Sequence, residues 1–104
     1  MNVVKAETPL NLLLMLTAIS LRCGFVQKAV VYGKAGQQLF PDEARFLEMH
    51  AYGLLLDGRL DDLAVLLQDV DLQTQNIAYL RARLAIANGD AEEAASQLKA
   101  YCRA

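Results

Sequence analysis

The chain has 104 residues; Leu and Ala supply 35 of them, Val, Ile and Thr together supply 13, and Trp is absent. This composition favours helix over sheet, because Ala and straight-chain residues lose little rotamer freedom in a helix. The apolar fraction of 55% excludes a disordered chain. It also exceeds what a small domain buries easily, since a chain of this length buries only about 60–70% of its surface on folding, so we expect a partner to cover the excess.

The net charge of −2 is unevenly divided, with +3 on residues 1–41 and −5 on residues 42–104. Neither part is a polybasic tract, so no nucleic-acid partner is expected. The apolar run from Leu10 to Ile19 is too short to span a bilayer, and Glu7 and Pro9 do not fit a signal peptide. We therefore expect a cytoplasmic protein without direct membrane insertion, in which both cysteines are free thiols.

Hydrophobic periodicity predicts six helices, at about 9–22, 25–38, 41–57, 60–70, 73–88 and 91–102. Thr8 and Pro9 are typical of a cap and first turn at the start of the first helix. Apolar residues surround this helix on all sides, which is typical of a helix that is buried all round. We expect the side not packed on the next helix to meet a partner, a second copy or the segment 1–8.

Later boundaries carry similar signals. Pro41, Asp42 and Glu43 favour the first turn of the third helix, where the helix dipole stabilises acids. Asp90 and Glu93 form the pattern of a capping box for the sixth helix.

Three glycines, Gly24, Gly58 and Gly89, are spaced 34 and 31 residues apart, and each stands between two predicted helices. A glycine in such a turn adopts a positive φ at low cost. When the chain is aligned on these glycines, other columns match. Seven residues before them stand Thr17, Ala51 and Ala82, four before stand Ser20, Leu54 and Ala85, five after stand Ala29, Leu63 and Ala94, and nine after stand Gly33, Leu67 and Leu98. The pattern predicts a single all-α domain of three stacked helix-turn-helix pairs, at about 9–40, 41–72 and 73–103, with one shared core.

These columns, together with Pro41, resemble the tetratricopeptide repeat over residues 10–103, most closely in the third unit from Tyr79 to Tyr101. The resemblance implies a short right-handed solenoid. Leu13, Leu47 and Ala78 replace the usual early aromatic residue. Gly33 and Gly36 stand where larger residues are expected.

A chain of about three such repeats is similar to the small chaperones of bacterial type III secretion systems. Two kinds fit the size, the needle-subunit co-chaperones and the export-component chaperones, and the stretch from Leu21 to Phe46 looks more like the second kind. The resemblance implies that the protein binds an amphipathic helix of a secreted needle or export-apparatus subunit in a heterodimer, with or without a second co-chaperone, and keeps it soluble. The alternatives are a general tetratricopeptide scaffold, homodimeric through helix 9–22, and a domain normally fused to a larger protein.

In tetratricopeptide arrays the first helix of each pair lines the concave face. The resemblance therefore implies a partner-binding surface made by Asn11, Leu14, Ala18, Leu21, Arg45, Glu48, Tyr52, Leu55, Asn76, Tyr79, Arg83 and Ile86. Tyr52 and Tyr79 suit anchors, because Tyr buries a large area and keeps a polar tip. The alternatives are core positions for the leucines, half-buried surface aromatics for the tyrosines, and locally paired side chains for Arg45, Glu48 and Arg83.

The sequence offers few residues for catalysis or metal binding. His50 has Gly53 and Leu54 at i+3 and i+4 rather than a second metal ligand, and we expect a core histidine with its hydrogen bonds satisfied. Cys23, just before Gly24, suits a small core residue at a turn. No nucleophile stands beside a base, so we expect neither an enzyme nor a cofactor or metal site.

Overall fold

The computed structural model describes the backbone of residues 2–103 and the side chains of residues 8–103. Within this range the chain is all-helical, with no strand, and its helices are α1 (Asn2–Arg22), α2 (Val26–Leu39), α3 (Ala44–Leu56), α4 (Leu60–Gln68), α5 (Gln75–Ala87) and α6 (Ala91–Arg103). The predicted all-α class is confirmed, and so are the six helices. Their ends lie within about three residues of the predicted ones, except at the start of α1.

The predicted start of α1 is wrong, because the helix begins at Asn2 and contains Pro9. Proline has a φ that suits a helix, and its cost there is one missing N–H donor and a steric conflict with the preceding turn. The good helix formers Lys5, Ala6 and Glu7 precede it. Segment 2–8 therefore prolongs α1 and does not fold back over it.

The predicted start of α3 is also wrong. Pro41 and Asp42 form a turn before the helix, and Glu43 is the N-cap, whose side chain accepts a hydrogen bond from the Arg45 N–H. Glu43 can act this way because its backbone is extended, which directs the carboxylate back towards the first free N–H groups of the helix.

The three turn glycines all have positive φ, +80° at Gly24, +73° at Gly58 and +76° at Gly89, as predicted. After Gly24, the Phe25 N–H donates to the Ser20 carbonyl at 2.8 Å, and after Gly89 the Asp90 N–H donates to the Ala85 carbonyl at 2.9 Å. These bonds, each spanning five residues, are those of a Schellman motif, which ends a helix and satisfies its last carbonyls.

Only half of the predicted capping box at α6 forms. Asp90 Oδ1 accepts from the Glu93 N–H at 3.0 Å. The Glu93 carboxylate instead accepts from the Gln97 side chain at 2.8 Å. The Asp90 N–H, which a capping box would bond to Glu93, is already used in the Schellman motif.

Contacts divide the chain into two units, residues 1–57 and residues 58–104. In the first unit α1 packs against α2 and α3, and α2 packs extensively against α3 around the buried side chains of Phe46 and Leu54. In the second unit α5 packs extensively against α6 and more narrowly against α4, around Leu63, Ile77 and Leu80.

Residues in equivalent columns of the sequence alignment share the same environment. All nine residues located seven and four before, and five after, the turn glycines are buried. In the column nine residues after the glycines, Gly33 and Leu67 are buried, whereas Leu98 is exposed. The helices of the two units therefore use the same positions for packing.

The helical glycines that depart from the repeat pattern lie in the contact between α2 and α3. A Cβ atom on Gly36 would overlap the ring of Phe46, and one on Gly33 would lie 3.0 Å from the Cα of His50. Both facing residues are buried. Glycine is thus required here for the close approach of two helices rather than for an unusual φ.

We expect Gly36→Ala to lower the free energy of unfolding by about 1–3 kcal/mol, because the added methyl group overpacks the contact with Phe46. Helix propensity alone would raise it by about 1 kcal/mol. Urea unfolding followed by far-UV circular dichroism measures the sign. In a Phe46→Leu background, which makes room beside Gly36, Gly36→Ala should lower the free energy of unfolding by less. A gain in stability from Gly36→Ala in the wild-type background would contradict the tight contact.

Candidate protein-binding surface

One side of α1 is apolar and uncovered. Leu12, Met15, Leu16 and Ile19 are 51%, 52%, 41% and 50% exposed. Their spacing of i, i+3, i+4 and i+7 places them on one stripe of the helix, which we call the α1 outer face. The opposite side carries the buried residues Leu14, Thr17 and Ser20.

This arrangement explains why the sequence of α1 is apolar all round. Its inner side is covered within the first unit by α2 and α3, while the α1 outer face has no covering element among the described residues. Removing a half-exposed Leu, Ile or Met from water contributes about 1 kcal/mol. Four such side chains in one stripe therefore favour covering by about 4 kcal/mol before any ordering cost.

The end of α1 adds basic and aromatic groups to this surface. Arg22, Phe25 and Lys28 are exposed, and Lys28 Nζ lies 5.2 Å from the centroid of the Phe25 ring, in a cation–π contact. Residues 8–41 contain no Asp or Glu. The apolar stripe thus ends at a positive region without a neutralising acid in this part of the sequence.

Cys23 is exposed rather than buried, so its predicted place in the core is wrong. Its N–H donates to the carbonyl of Ile19 at 2.9 Å, in the turn that follows α1. Cys102, near the end of α6, is also exposed, and neither cysteine forms a disulfide.

The predicted first-helix surface contains side chains in different environments. Leu14 is 8% exposed and belongs to the core, so the alternative of a core position holds for this leucine. Asn11, Arg45, Asn76, Arg83 and Ile86 are exposed, and Ala18, Leu21, Glu48, Tyr52, Leu55 and Tyr79 are half-buried. Apart from Leu14, these side chains have surface available, and their role in partner binding stays a prediction.

Two of the predicted basic residues have partners in the chain. Arg45 Nε lies 2.8 Å from Glu43 Oε1. This hydrogen-bonded pair lowers the pKa of the Glu43 carboxyl and raises the pKa of the Arg45 guanidinium. Arg83 donates to the Tyr79 hydroxyl at 2.6 Å. Both contacts fit the alternative of local pairing.

Tyr79 also contacts an aromatic residue that sequence reasoning did not select. Its ring centroid lies 6.1 Å from that of Tyr101 on α6, and the Gln75 side chain donates to the Tyr101 carbonyl at 3.2 Å. Tyr101 closes the best-matching repeat and is the one aromatic of α6, but its contact with Tyr79 depends on how α5 and α6 pack.

His50 is a buried histidine, as predicted. Its Nδ1 is hydrogen-bonded to Gln37 Oε1 across the contact between α2 and α3. Among the side chains that the structure describes, no three His, Cys, Asp or Glu residues come close enough to hold a metal ion. No helix within the described range combines the length and the apolar character needed to cross a bilayer.

We expect Met15→Ser together with Ile19→Ser to reduce binding of an apolar dye and to cost less stability per residue than a core substitution, because about half of each side chain already contacts solvent. Leu14→Ala, on the opposite side of the same helix, should cost about 2–5 kcal/mol, since it leaves a cavity in the core. Similar losses of stability at both sides of α1 would show that the α1 outer face is not free.

No protein-family model, curated protein or solved structure matches this chain.

Proposed function

We propose that this protein is a small helical chaperone that binds an amphipathic helix of another protein and keeps that protein soluble. The observation that carries the proposal is the α1 outer face, an apolar stripe of four half-exposed side chains on a helix whose other side is packed. Such a stripe on a folded helix costs solubility unless a second surface covers it.

A helix is the partner element that suits this surface. The backbone N–H and C=O groups in the middle of α1 are hydrogen-bonded to each other within the helix. The α1 outer face therefore offers a partner only side chains. Strand addition to a sheet edge, one way in which extended peptides bind, is not available because the described residues contain no strand. An amphipathic helix instead binds through apolar residues at the same i, i+3, i+4 and i+7 spacing.

The finer part of the proposal is a tetratricopeptide-like array acting as a type III secretion chaperone in the bacterial cytoplasm. Support comes from the three glycine turns of positive φ and from the shared burial of the aligned columns. The partner would be a secreted needle or export-apparatus subunit, bound in a heterodimer. The residues of the first-helix surface that keep exposed area, the half-buried Tyr52 and Tyr79 among them, would contribute to the same recognition.

The second candidate is a tetratricopeptide-like scaffold that forms a homodimer through helix 9–22. The same α1 outer face favours it, because a twofold axis could place two copies of one apolar stripe against each other. Sedimentation equilibrium after co-expression with a helical partner distinguishes the two candidates, because a chaperone gives a one-to-one heterodimer and a scaffold stays a homodimer.

We expect the chain expressed alone to self-associate, and co-expression with a small helical partner protein to give a soluble one-to-one complex. Leu16→Asp with Ile19→Asp should abolish recovery of this complex, because two charges would be buried in an apolar contact. Val65→Asp is the control, since Val65 is 69% exposed and lies on α4 in the other unit. A stable monomer that binds no helical protein would contradict the chaperone proposal.

We expect Tyr52→Ala with Tyr79→Ala to weaken capture of the same partner at least tenfold while the far-UV circular dichroism spectrum stays unchanged. The reason is that both rings are half-buried and keep surface available for a partner. Pull-down with the co-expressed partner measures the effect. Unchanged capture would remove these tyrosines from the binding surface and would leave the α1 outer face as the recognition site.

A further inference from the structure

The α1 outer face has a counterpart inside the protein. Its four residues stand twelve, nine, eight and five positions before Gly24, and the residues at the same positions before Gly58 are Phe46, Met49, His50 and Gly53. On α3 these positions form the contact with α2. Phe46 lies against Gly36, His50 against Gly33, and Gly53 against Val30.

The equivalent positions on α5 are also covered. Ile77 and Leu80, twelve and nine residues before Gly89, are buried. Arg81, eight residues before it, donates a hydrogen bond to the carbonyl of Val70 in the segment that follows α4. The preceding helix therefore packs on these positions in α3, and Ile77 and Leu80 are buried in α5, whereas the equivalent residues of α1 are exposed.

The α2–α3 contact indicates what would fit on α1. Consecutive helices joined by a short turn run antiparallel, and α2 approaches α3 closely because its glycines face the large side chains of Phe46 and His50. On α1 the corresponding positions carry Leu12 and Leu16. A helix with small residues at i and i+3 would approach these leucines as α2 approaches α3.

Charge sets the direction and the flanks of that helix. Arg22 and Lys28 are exposed near the end of α1, and neither forms a salt bridge with a described residue. The first turn of an antiparallel partner helix would lie beside them. Asp and Glu in a first turn are also stabilised by the helix dipole. An acid-rich first turn of the partner helix is therefore favoured both by that dipole and by the nearby charges of Arg22 and Lys28.

A second copy of this chain fits less well. Its α6 would present Leu98 and Tyr101 where α2 presents Gly33 and Gly36, and Lys99 and Arg103 flank that stripe. Two α1 outer faces would place leucine against leucine, without small residues and without an acid for Arg22. Neither arrangement places small residues against Leu12 and Leu16 or acidic residues beside Arg22 and Lys28.

We propose that the α1 outer face binds a partner helix that packs antiparallel to α1 in the way α2 packs on α3, with small residues at i and i+3 facing Leu12 and Leu16 and with Asp or Glu in its first turn beside Arg22 and Lys28. This inference rests on the proposed function, and it specifies the chemistry of the helix that the chaperone takes.

The test uses hydrocarbon-stapled peptides based on the α2 sequence from Val26 to Leu39 and the full chain, with fluorescence anisotropy as the readout. The acidic peptide carries Gln27→Glu and Lys28→Glu. A basic peptide carries Gln27→Lys and keeps Lys28, and a bulky peptide carries the acidic changes together with Gly33→Leu and Gly36→Leu. We expect the basic and bulky peptides to bind at least about fivefold and tenfold more weakly than the acidic one.

Variants of the chain locate the binding. Leu16→Asp with Ile19→Asp should abolish binding of the acidic peptide. Arg22→Glu with Lys28→Glu should reverse the preference between the acidic and basic peptides, and Lys99→Glu, an exposed charge in the other unit, should leave it unchanged. The preference for the acidic peptide should also shrink at 0.5 M salt, because exposed charges are screened.

Several results would overturn the inference. If all three peptides bind equally and the changes at Leu16 and Ile19 abolish binding, the α1 outer face takes a helix of other chemistry and the proposed function stands. If no peptide binds while the co-expressed partner is still captured through these residues, the resemblance to the α2–α3 contact is wrong. Dimerisation abolished by Leu16→Asp, or binding to vesicles of phosphatidylserine and phosphatidylcholine through the same residues, would assign the face to a second copy or to a membrane.

Discussion

The close approach of α2 to α3 is the contact on which the first unit depends. Gly33 and Gly36 bring the backbone of α2 against the large buried side chains of α3. Because interiors are packed as densely as organic crystals, an added methyl group here has no space to occupy. The same contact holds the only histidine of the chain, His50, which Gln37 satisfies from the facing helix.

Packing of α2 on α3 leaves α1 to cover these two helices with one side only. A helix can bury all of its circumference only when neighbours surround it, and within this chain α1 packs against α2 and α3. Part of the apolar excess of the composition therefore becomes visible as a stripe on α1. Counted from the turn glycine, the four residues of that stripe occupy the same positions as the residues at which α3 packs on α2.

Short-range signals predicted the turns better than the starts of helices. At Gly24, Gly58 and Gly89 the need for a positive φ is a property of one residue, and the structure has it at all three. At Pro9 and at Pro41–Glu43 several local arrangements are compatible with the same residues. The rest of each helix decides among them. As a result, α1 continues through Pro9, and α3 is capped by Glu43 rather than by Pro41.

The amino-acid sequence by itself determined the helical class, the six helices, the glycine turns and the small residues that pack between helices, because each depends on local propensity or on a repeated spacing. Tertiary structure alone decided which leucines of α1 are covered. Leu14 and Leu16 are chemically identical and two residues apart, yet one is 8% and the other 41% exposed. Apolar character does not distinguish these two leucines; the positions of α2 and α3 do.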